Sequence, residues 1–100
     1  MATKYEIFFT ELAEIQIIKI YDYISTNCAN KKAADDLMAS IDDALLYTEK
    51  DPYIYPMSKK EGFRKCRVNK YIAIYKIVES KKQVWVTHVF HSSQNYEKYF

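Results

Sequence analysis

The sequence contains few of the residues that break or cross-link regular structure. Its 100 residues include one glycine, two prolines and two cysteines. With a single glycine, few turns that need positive φ are expected, so the chain should form long regular elements. The two cysteines, Cys28 and Cys66, are too few for a disulfide framework and have no metal-ligand spacing.

Long apolar runs are also absent. No run approaches the roughly 18–20 residues that a helix needs to cross a bilayer. Residues 1–6 lack the basic and apolar stretches of a signal peptide. We therefore expect a cytoplasmic protein with no membrane partner. The only histidines, His88 and His91, have no cysteine beside them, so no zinc site and no other metal or cofactor is expected.

The residues that are abundant are apolar and aromatic. Hydrophobic residues make up 49% of the chain, and aromatic residues make up 16%, with ten tyrosines. This composition excludes a disordered chain. One hundred residues predict a single domain, residues 1–100, with a real but thin core.

The charges are unevenly distributed along the chain. Residues 1–58 carry five lysines and ten acids, whereas residues 59–82 carry nine basic residues and two acids. The first part therefore has a net charge of −5 and the second a net charge of +7, although the whole chain is only +2. A basic segment of this kind can attract phosphate groups or an acidic protein segment.

The first half of the sequence predicts a strand followed by two helices. Residues 5–9 are mostly aromatic or β-branched, which is typical of a strand. Thr10 can cap a first helix that runs to about Ser25. The apolar stripe predicted for this helix consists of Leu12, Ile15, Ile18, Tyr21 and Ile24.

A second helix should begin near Lys31 and end before Pro52, because proline stops a helix and biases the preceding residue towards extended structure. A connection of about five residues between the two helices makes a helical hairpin. The apolar face predicted for the second helix consists of Ala34, Leu37, Met38, Ile41, Leu45 and Thr48.

Three strands are predicted in the second half, at residues 63–68, 71–78 and 83–91. Asn69 and Lys70 form a plausible two-residue turn, because asparagine tolerates left-handed geometry. The middle strand is apolar on both faces and should lie inside the sheet. The predicted fold class is α+β in the order β-α-α-β-β-β, with the helical hairpin on one face of a mainly antiparallel four-stranded sheet. The other face has no second layer of helices, which leaves room for a ligand or partner.

Segments along nearly the whole chain resemble the RelE/ParE superfamily, the toxins of type II toxin–antitoxin systems. The central strand, Tyr71-Ile72-Ala73-Ile74-Tyr75, and the preceding basic strand look like the hairpin of this family. The last strand ends on a histidine, His91, as is common in the family. The resemblance is closer to the ParE-like members, often described as plasmid stabilisation proteins. The matching residues are 5–13, 20–24, Ala33, Ala34, Leu37, Ile41, Pro52, Pro56, 64–68, 71–77 and 84–91.

This resemblance implies the family fold and a growth-inhibiting toxin that a cognate antitoxin neutralises. The assembly could be a homodimer or a toxin–antitoxin hetero-oligomer. If the antitoxin wraps the toxin as a helix or strand, it should use exposed apolar surface on the helical hairpin and the sheet edge.

The family divides by target. RelE-like members cleave messenger RNA on the ribosome without a metal, so their site must stabilise negative charge and move protons. Lys65 and Arg67 match the basic pair of these nucleases and share a strand face. Where the nucleases carry two further arginines, this chain has Ile72 and Ser92-Ser93-Gln94. The pattern favours a ParE-like toxin that acts on DNA gyrase. A ribosome-dependent endoribonuclease and a non-toxic homologue that only binds antitoxin are the alternatives.

Arg64, Lys65, Arg67 and Lys70 are the candidate contacts to phosphate or to a target protein. A solvated strand face is an equally good interpretation of these residues. In a nuclease, His91 would transfer a proton and Tyr96 would replace the family's terminal tyrosine. The favoured interpretation of His91 is structural, as a residue that closes the last strand.

Three further groups of residues are candidates for a functional role: His88, the aromatic residues of the strands and the aromatic residues of the tail. His88 lies on the opposite strand face from His91, so the two should not act as a pair. Aromatic residues of the strands could stack on bases, but core and cross-strand packing is favoured. The tail aromatics either fold onto the sheet or form a contact surface. These aromatic residues are Tyr71, Tyr75 and Trp85 in the strands, and Tyr96, Tyr99 and Phe100 in the tail.

Overall fold

The computed structural model describes residues 4–94, in which two helices pack on a four-stranded sheet. The predicted α+β class and the order β-α-α-β-β-β are confirmed. Within these residues, no helix is both long and apolar enough to span a membrane. The elements are β1 (Glu6–Phe9), α1 (Glu11–Asp22), α2 (Lys31–Lys50), β2 (Arg64–Val68), β3 (Tyr71–Val78) and β4 (Gln83–His91).

The strands lie in the order β1-β4-β3-β2. β1 runs parallel to β4, whereas β4 with β3 and β3 with β2 are antiparallel. As predicted, β3 is an interior strand. The register of β3 against β4 shifts between Ile74 and Tyr75, where β4 carries one extra residue, Thr87. Such a bulge bends the strand locally and re-aims the side chains beyond it.

Helix α1 begins where the sequence predicts. The Thr10 Oγ1 accepts a hydrogen bond from the N–H of Ala13 at 3.2 Å, which caps the helix. The regular helix ends at Asp22 and continues as a π-helical turn, Tyr23–Asn27. Ala29 then takes a positive φ of 49°, which turns the chain sharply towards the second helix.

The apolar stripe predicted for α1 is wrong except at Ile24. Leu12, Ile15 and Ile18 are exposed, and the side chains that face the core are Ala13, Ile17, Ile20 and Ile24. The reason lies in the helical period. Steps of three residues rotate about 60° backwards each time, so a stripe built only from such steps drifts around the helix. The steps of four, three and four residues that join the core-facing set stay on one face.

Helix α2 agrees with the prediction. Asn30 caps it by accepting a hydrogen bond from the N–H of Ala33 at 3.0 Å. Acids occupy its exposed side, where two of them pair with lysines one turn earlier, Lys31 with Asp35 and Lys32 with Asp36. The buried residues are Ala34, Leu37, Ile41, Leu45 and Thr48, and Met38 packs beside them.

The helices cover one face of the sheet, and this interface forms the main core. On the other face, which we call the open face, no helix of residues 4–94 lies. The open face is nevertheless partly filled, because Ile72, Ile74 and Phe90 form a second buried cluster against Phe63. The room expected on this face is therefore smaller than the sequence predicts.

The connection between α2 and β2 supplies that Phe63 and also extends the sheet. Pro56 accepts a hydrogen bond from the N–H of Lys65 at 2.9 Å, and Met57 bridges Arg64. Pro52 at the start of the connection is fully buried, and its carbonyl accepts the Tyr75 hydroxyl at 2.7 Å. The long connection is thus fixed to the sheet at both ends.

Candidate functional site

Lys65 and Arg67 lie side by side on the open face of β2. Lys65 is opposite Ile74 and Arg67 is opposite Ile72, so both side chains share the face that carries the second apolar cluster. Arg67 is exposed, and its Nε donates to the carbonyl of Asn69 at 3.2 Å. Lys65 is half-buried. The predicted pairing of these two cations on one strand face is confirmed by the register.

Arg64 does not join this pair. It is opposite Tyr75 on the helix-side face, where its Nη1 donates to the carbonyl of Tyr55 at 2.8 Å. Its guanidinium also lies over the ring of Tyr53, 5.1 Å from the ring centre. Through these contacts, Arg64 stabilises the connection between α2 and β2. Its neighbours in the sequence gave no indication of this role.

Lys70 is also separate from the pair. It lies in the turn between β2 and β3, and its carbonyl accepts a hydrogen bond from the N–H of Ser92 at 2.6 Å. Its side chain is exposed at the end of the hairpin. The four predicted basic contacts therefore divide into one pair on the open face and two residues elsewhere.

The two histidines lie on opposite faces, as predicted from their spacing. His91 is opposite Tyr71, and the two rings meet edge to face with centroids 5.1 Å apart. The His91 Nδ1 accepts the N–H of Ser93 at 3.0 Å and lies 2.7 Å from the Ser93 hydroxyl oxygen. The turn after β4 therefore fixes this ring, which agrees with the structural interpretation of His91.

His88, which the sequence did not single out for chemistry, lies on the same face of the sheet as the basic pair, and its Nδ1 is 2.9 Å from the Thr87 hydroxyl oxygen. Ile74 of β3 pairs with His88 of β4 on one side and with Lys65 of β2 on the other. With strands about 4.8 Å apart, the backbones of Lys65 and His88 are about 10 Å apart across β3. Burial, and then the nearby charge of Lys60, lowers the pKa of His88. Only the strand pairing could place this histidine on the same face of the sheet as Lys65, one strand away.

The position where a nuclease would carry an arginine on β3 is an apolar contact in this chain. Ile72 is only 8% exposed and packs with Ile74, Phe90 and Phe63. At the other such position, Ser92 donates to the Lys70 carbonyl, and the Gln94 side chain accepts the N–H of His91. Tyr96, the candidate replacement for the terminal tyrosine, lies outside the described residues, as do Tyr99 and Phe100.

The strand aromatics pack as the favoured interpretation predicts. Tyr75 is fully buried, and burial raises its pKa to about 12. Trp85 stacks on Phe8, its cross-strand neighbour, with ring centroids 4.9 Å apart. The indole N–H of Trp85 donates to the Gln83 side chain at 3.0 Å. These rings are structural contacts in the described chain.

Metal-ligand groups are not gathered anywhere in residues 4–94. No cluster of three or more histidine, cysteine or acidic side chains could hold a metal ion there. Both cysteines are free thiols, Cys28 exposed and Cys66 buried. Burial raises the pKa of the Cys66 thiol, so this residue has the inert character of a core cysteine.

A polar cluster forms where β1, the α2–β2 connection and the β3–β4 turn meet. The Glu79 carboxylate accepts the Tyr5 hydroxyl at 2.7 Å and the Tyr53 hydroxyl at 2.5 Å, and it pairs with Lys82. Lys82, followed by the two tyrosines, lowers the pKa of Glu79 to about 2. No local sequence pattern indicates this cluster, because its members are far apart in the chain.

The apolar residues of α1 that do not face the core, Leu12, Ile15 and Ile18, form an exposed surface. Leu12 and Ile15 border a groove of about 750 Å³ between α1 and the end of β4. Gln16 reaches across this groove, and its side-chain oxygen accepts the N–H of Val89 at 2.7 Å. Tyr23 lines the same groove and is also exposed. An exposed apolar surface of this kind commonly marks a protein contact.

The sequence matches one family model, described as ParE toxin of type II toxin–antitoxin system, parDE, over residues 7–96. No curated protein matches the chain in sequence.

Three similar solved structures share the fold. The chromosomal ParDE toxin–antitoxin system from P. aeruginosa has a TM-score of 0.71 at 14% identity, covering 88% of this chain and 96% of that one. A mutant of the E. coli toxin RelE in the free state has a TM-score of 0.65 at 14% identity, covering 96% and 92%. The RelBE2 toxin–antitoxin complex from Mycobacterium tuberculosis has a TM-score of 0.59 at 17% identity, covering 89% and 99%.

Proposed function

The chain belongs to the ParE toxin family of type II toxin–antitoxin systems, and from this premise we propose that it inhibits growth by binding DNA gyrase. In this proposal the toxin acts through contact with a protein and performs no catalysis of its own. A cognate antitoxin neutralises it in a hetero-oligomer. The structural relatives that are toxin–antitoxin complexes support such a partner.

The observation that carries the proposal is the burial of Ile72 on the open face. RNA cleavage by a neighbouring 2′-hydroxyl develops negative charge on phosphate, which several converging cations must stabilise. On this face, Arg67 lies beside Ile72 and Phe90, and both of these are apolar and buried. Each missing charged donor removes about 3 kcal/mol of transition-state stabilisation.

In the proposed binding mechanism, Lys65 and Arg67 contact the target protein. Two cations beside a buried apolar cluster suit an acidic segment of a protein partner, because charge steers the encounter and the apolar neighbours add contact area. The contribution of such surface charges falls as salt rises. Binding to the target should therefore weaken at high ionic strength.

A ribosome-dependent endoribonuclease remains the second candidate, and His88 is the residue that favours it. The lowered pKa of His88 favours the neutral imidazole, which is the form that accepts a proton. It shares the open face with Lys65 and Arg67. In this alternative His88, and not His91, would be the proton-transfer group.

The test measures supercoiling by purified gyrase in the presence of the toxin. The wild-type protein should inhibit supercoiling, and the Lys65→Ala/Arg67→Ala variant should need about tenfold more protein for the same inhibition. Lys31→Ala/Lys32→Ala is the matched control, because it removes the same charge from the exposed side of α2. His91→Ala should retain inhibition if the protein stays folded.

Expression in a bacterial host separates the alternatives. Cleavage of messenger RNA with unaffected supercoiling would contradict gyrase binding and support the nuclease. In that case His88→Ala should abolish the cleavage. Normal growth and normal supercoiling at high expression would leave a homologue that only binds antitoxin. A DNA-damage response with intact messages is the result expected for the gyrase proposal.

A further inference from the structure

β1 is an outer strand of the sheet, and only one of its edges is paired within residues 4–94. On its inner side, the N–H of Glu6 donates to the carbonyl of Lys82, just before β4, and the N–H of Thr10 donates to the carbonyl of Val86 on β4, both at 3.0 Å. Because these directions alternate along a strand, the N–H and C=O groups of Ile7 and Phe9 point to the outer edge. This edge therefore offers main-chain groups at the spacing that another strand needs.

A groove of about 630 Å³ separates this edge from α2. Ile7 and Phe9 line its sheet side, and Leu45 and Leu46 line its helix side. Leu45 is buried, but Leu46 is 53% exposed and presents an apolar wall beside the free edge. A strand added to β1 would place alternate side chains against Leu46 and bury it.

The rim of the groove is acidic. Asp42 and Glu49 of α2 line it, against the cation Lys4. The Glu6 side chain alternates with those of Ile7 and Phe9 and lies on the open face. Within the described part of the chain, neither the Asp42 nor the Glu49 carboxylate forms an ion pair or a side-chain hydrogen bond. A segment that carries lysine or arginine would therefore find unpaired negative charge on the rim.

We propose that this groove receives an extended basic segment of the antitoxin, which adds to β1 as a fifth strand of the sheet. This inference rests on the proposed toxin function and specifies the partner's structure and charge at one surface. A helix offers only its terminal main-chain groups, as α2 does where the Glu49 carbonyl accepts the N–H of Tyr5 at 2.8 Å, so a helix would not pair with both Ile7 and Phe9 along the edge. A second copy of this chain would bring two acidic rims together, which disfavours self-pairing through β1.

The decisive measurement is residue-resolved amide hydrogen exchange, by NMR, of the toxin alone and with the protein encoded beside its gene. In the complex, exchange at Ile7 and Phe9 should slow at least about tenfold, because their amides gain partners. The amide of Phe8, directed at β4, should change less. Unchanged exchange at Ile7 and Phe9 in a stable complex would overturn the proposal.

Charge reversal gives an independent test. Asp42→Lys/Glu49→Lys should raise the Kd for the same partner about tenfold or more. Asp22→Lys/Glu61→Lys makes the same change of charge away from the groove and should have less than about a twofold effect. Equal weakening by both variants would contradict a specific basic strand. If the wild-type toxin forms no complex at all, the antitoxin pairing of the proposed function fails first.

Discussion

The two helices of this protein differ in how much of their apolar surface the fold uses. Seven of the twelve residues of α1 are apolar, but only Ala13 is fully buried. Ten of the twenty residues of α2 are apolar, and α2 buries five residues. Acids mark the solvent side of α2, whereas isoleucines and a leucine lie on both sides of α1. A helix whose apolar residues exceed what its core contact needs has surface left for a partner.

The same difference explains why the spacing of apolar residues predicted the buried face of α2 correctly but not that of α1. In α2 the charged residues exclude one face, so only one orientation satisfies the pattern. In α1 two apolar sets compete, and the set that keeps the helical period faces the sheet. The surplus set, with Leu12, Ile15 and Ile18, resembles a second core face that no part of residues 4–94 covers.

The largest expected effect comes from adjacent leucines on α2. Leu45→Ala should lower the free energy of unfolding by about 3 kcal/mol, because Leu45 is buried and a cavity would remain. Leu46→Ala removes the same atoms from an exposed position and should change stability by less than about 0.5 kcal/mol. Urea unfolding followed by circular dichroism measures both. Similar losses for the two variants would contradict the orientation of α2.

A smaller contrast is expected on α1. Ile20 packs against the core, so Ile20→Ala should cost about 2 kcal/mol. Ile18 is 59% exposed, so Ile18→Ala should be close to neutral, helped by the high helix propensity of alanine. The same unfolding experiment decides between the two faces. A greater loss for Ile18→Ala would restore the stripe predicted from the sequence.

The smallest expected effect is at the Glu79 cluster and depends on pH. Because the folded pKa of Glu79 lies at about 2, below its ordinary value of 4.5, the unfolded chain binds the proton more readily. The contribution of Glu79 to stability is therefore complete above about pH 4.5 and is lost as the pH falls towards 2. Melting temperatures measured between pH 2 and 6 should fall less steeply in Glu79→Gln.

Glu61→Gln is the control for this acid dependence, because Glu61 makes no side-chain hydrogen bond within residues 4–94. Its melting curve should follow the wild-type curve through the acid range. An unchanged slope in Glu79→Gln would mean that the hydroxyls of Tyr5 and Tyr53 do not hold the carboxylate in solution.

At strand β2, the sequence predicts some features of the candidate site and not others. A spacing of two residues places Lys65 and Arg67 on one face because side chains alternate along a strand. The same rule places Arg64 on the other face of the strand. It does not predict the contacts of Arg64 with Tyr53 and Tyr55, because these residues lie in the connection between α2 and β2. His88 joins the pair only through the register of β4 against β3, which the strand sequences did not specify.

The sequence by itself determined the elements of this protein, the cap at Thr10, the buried face of α2 and the interior position of β3. These features depend on local periodicity and backbone chemistry, which short stretches of residues carry in full. Only the tertiary structure decided the buried face of α1, the partial filling of the open face by Phe63, and the meeting of Tyr5, Tyr53 and Glu79. These features depend on contacts between segments that are far apart in the chain, and several arrangements satisfy their local patterns equally well.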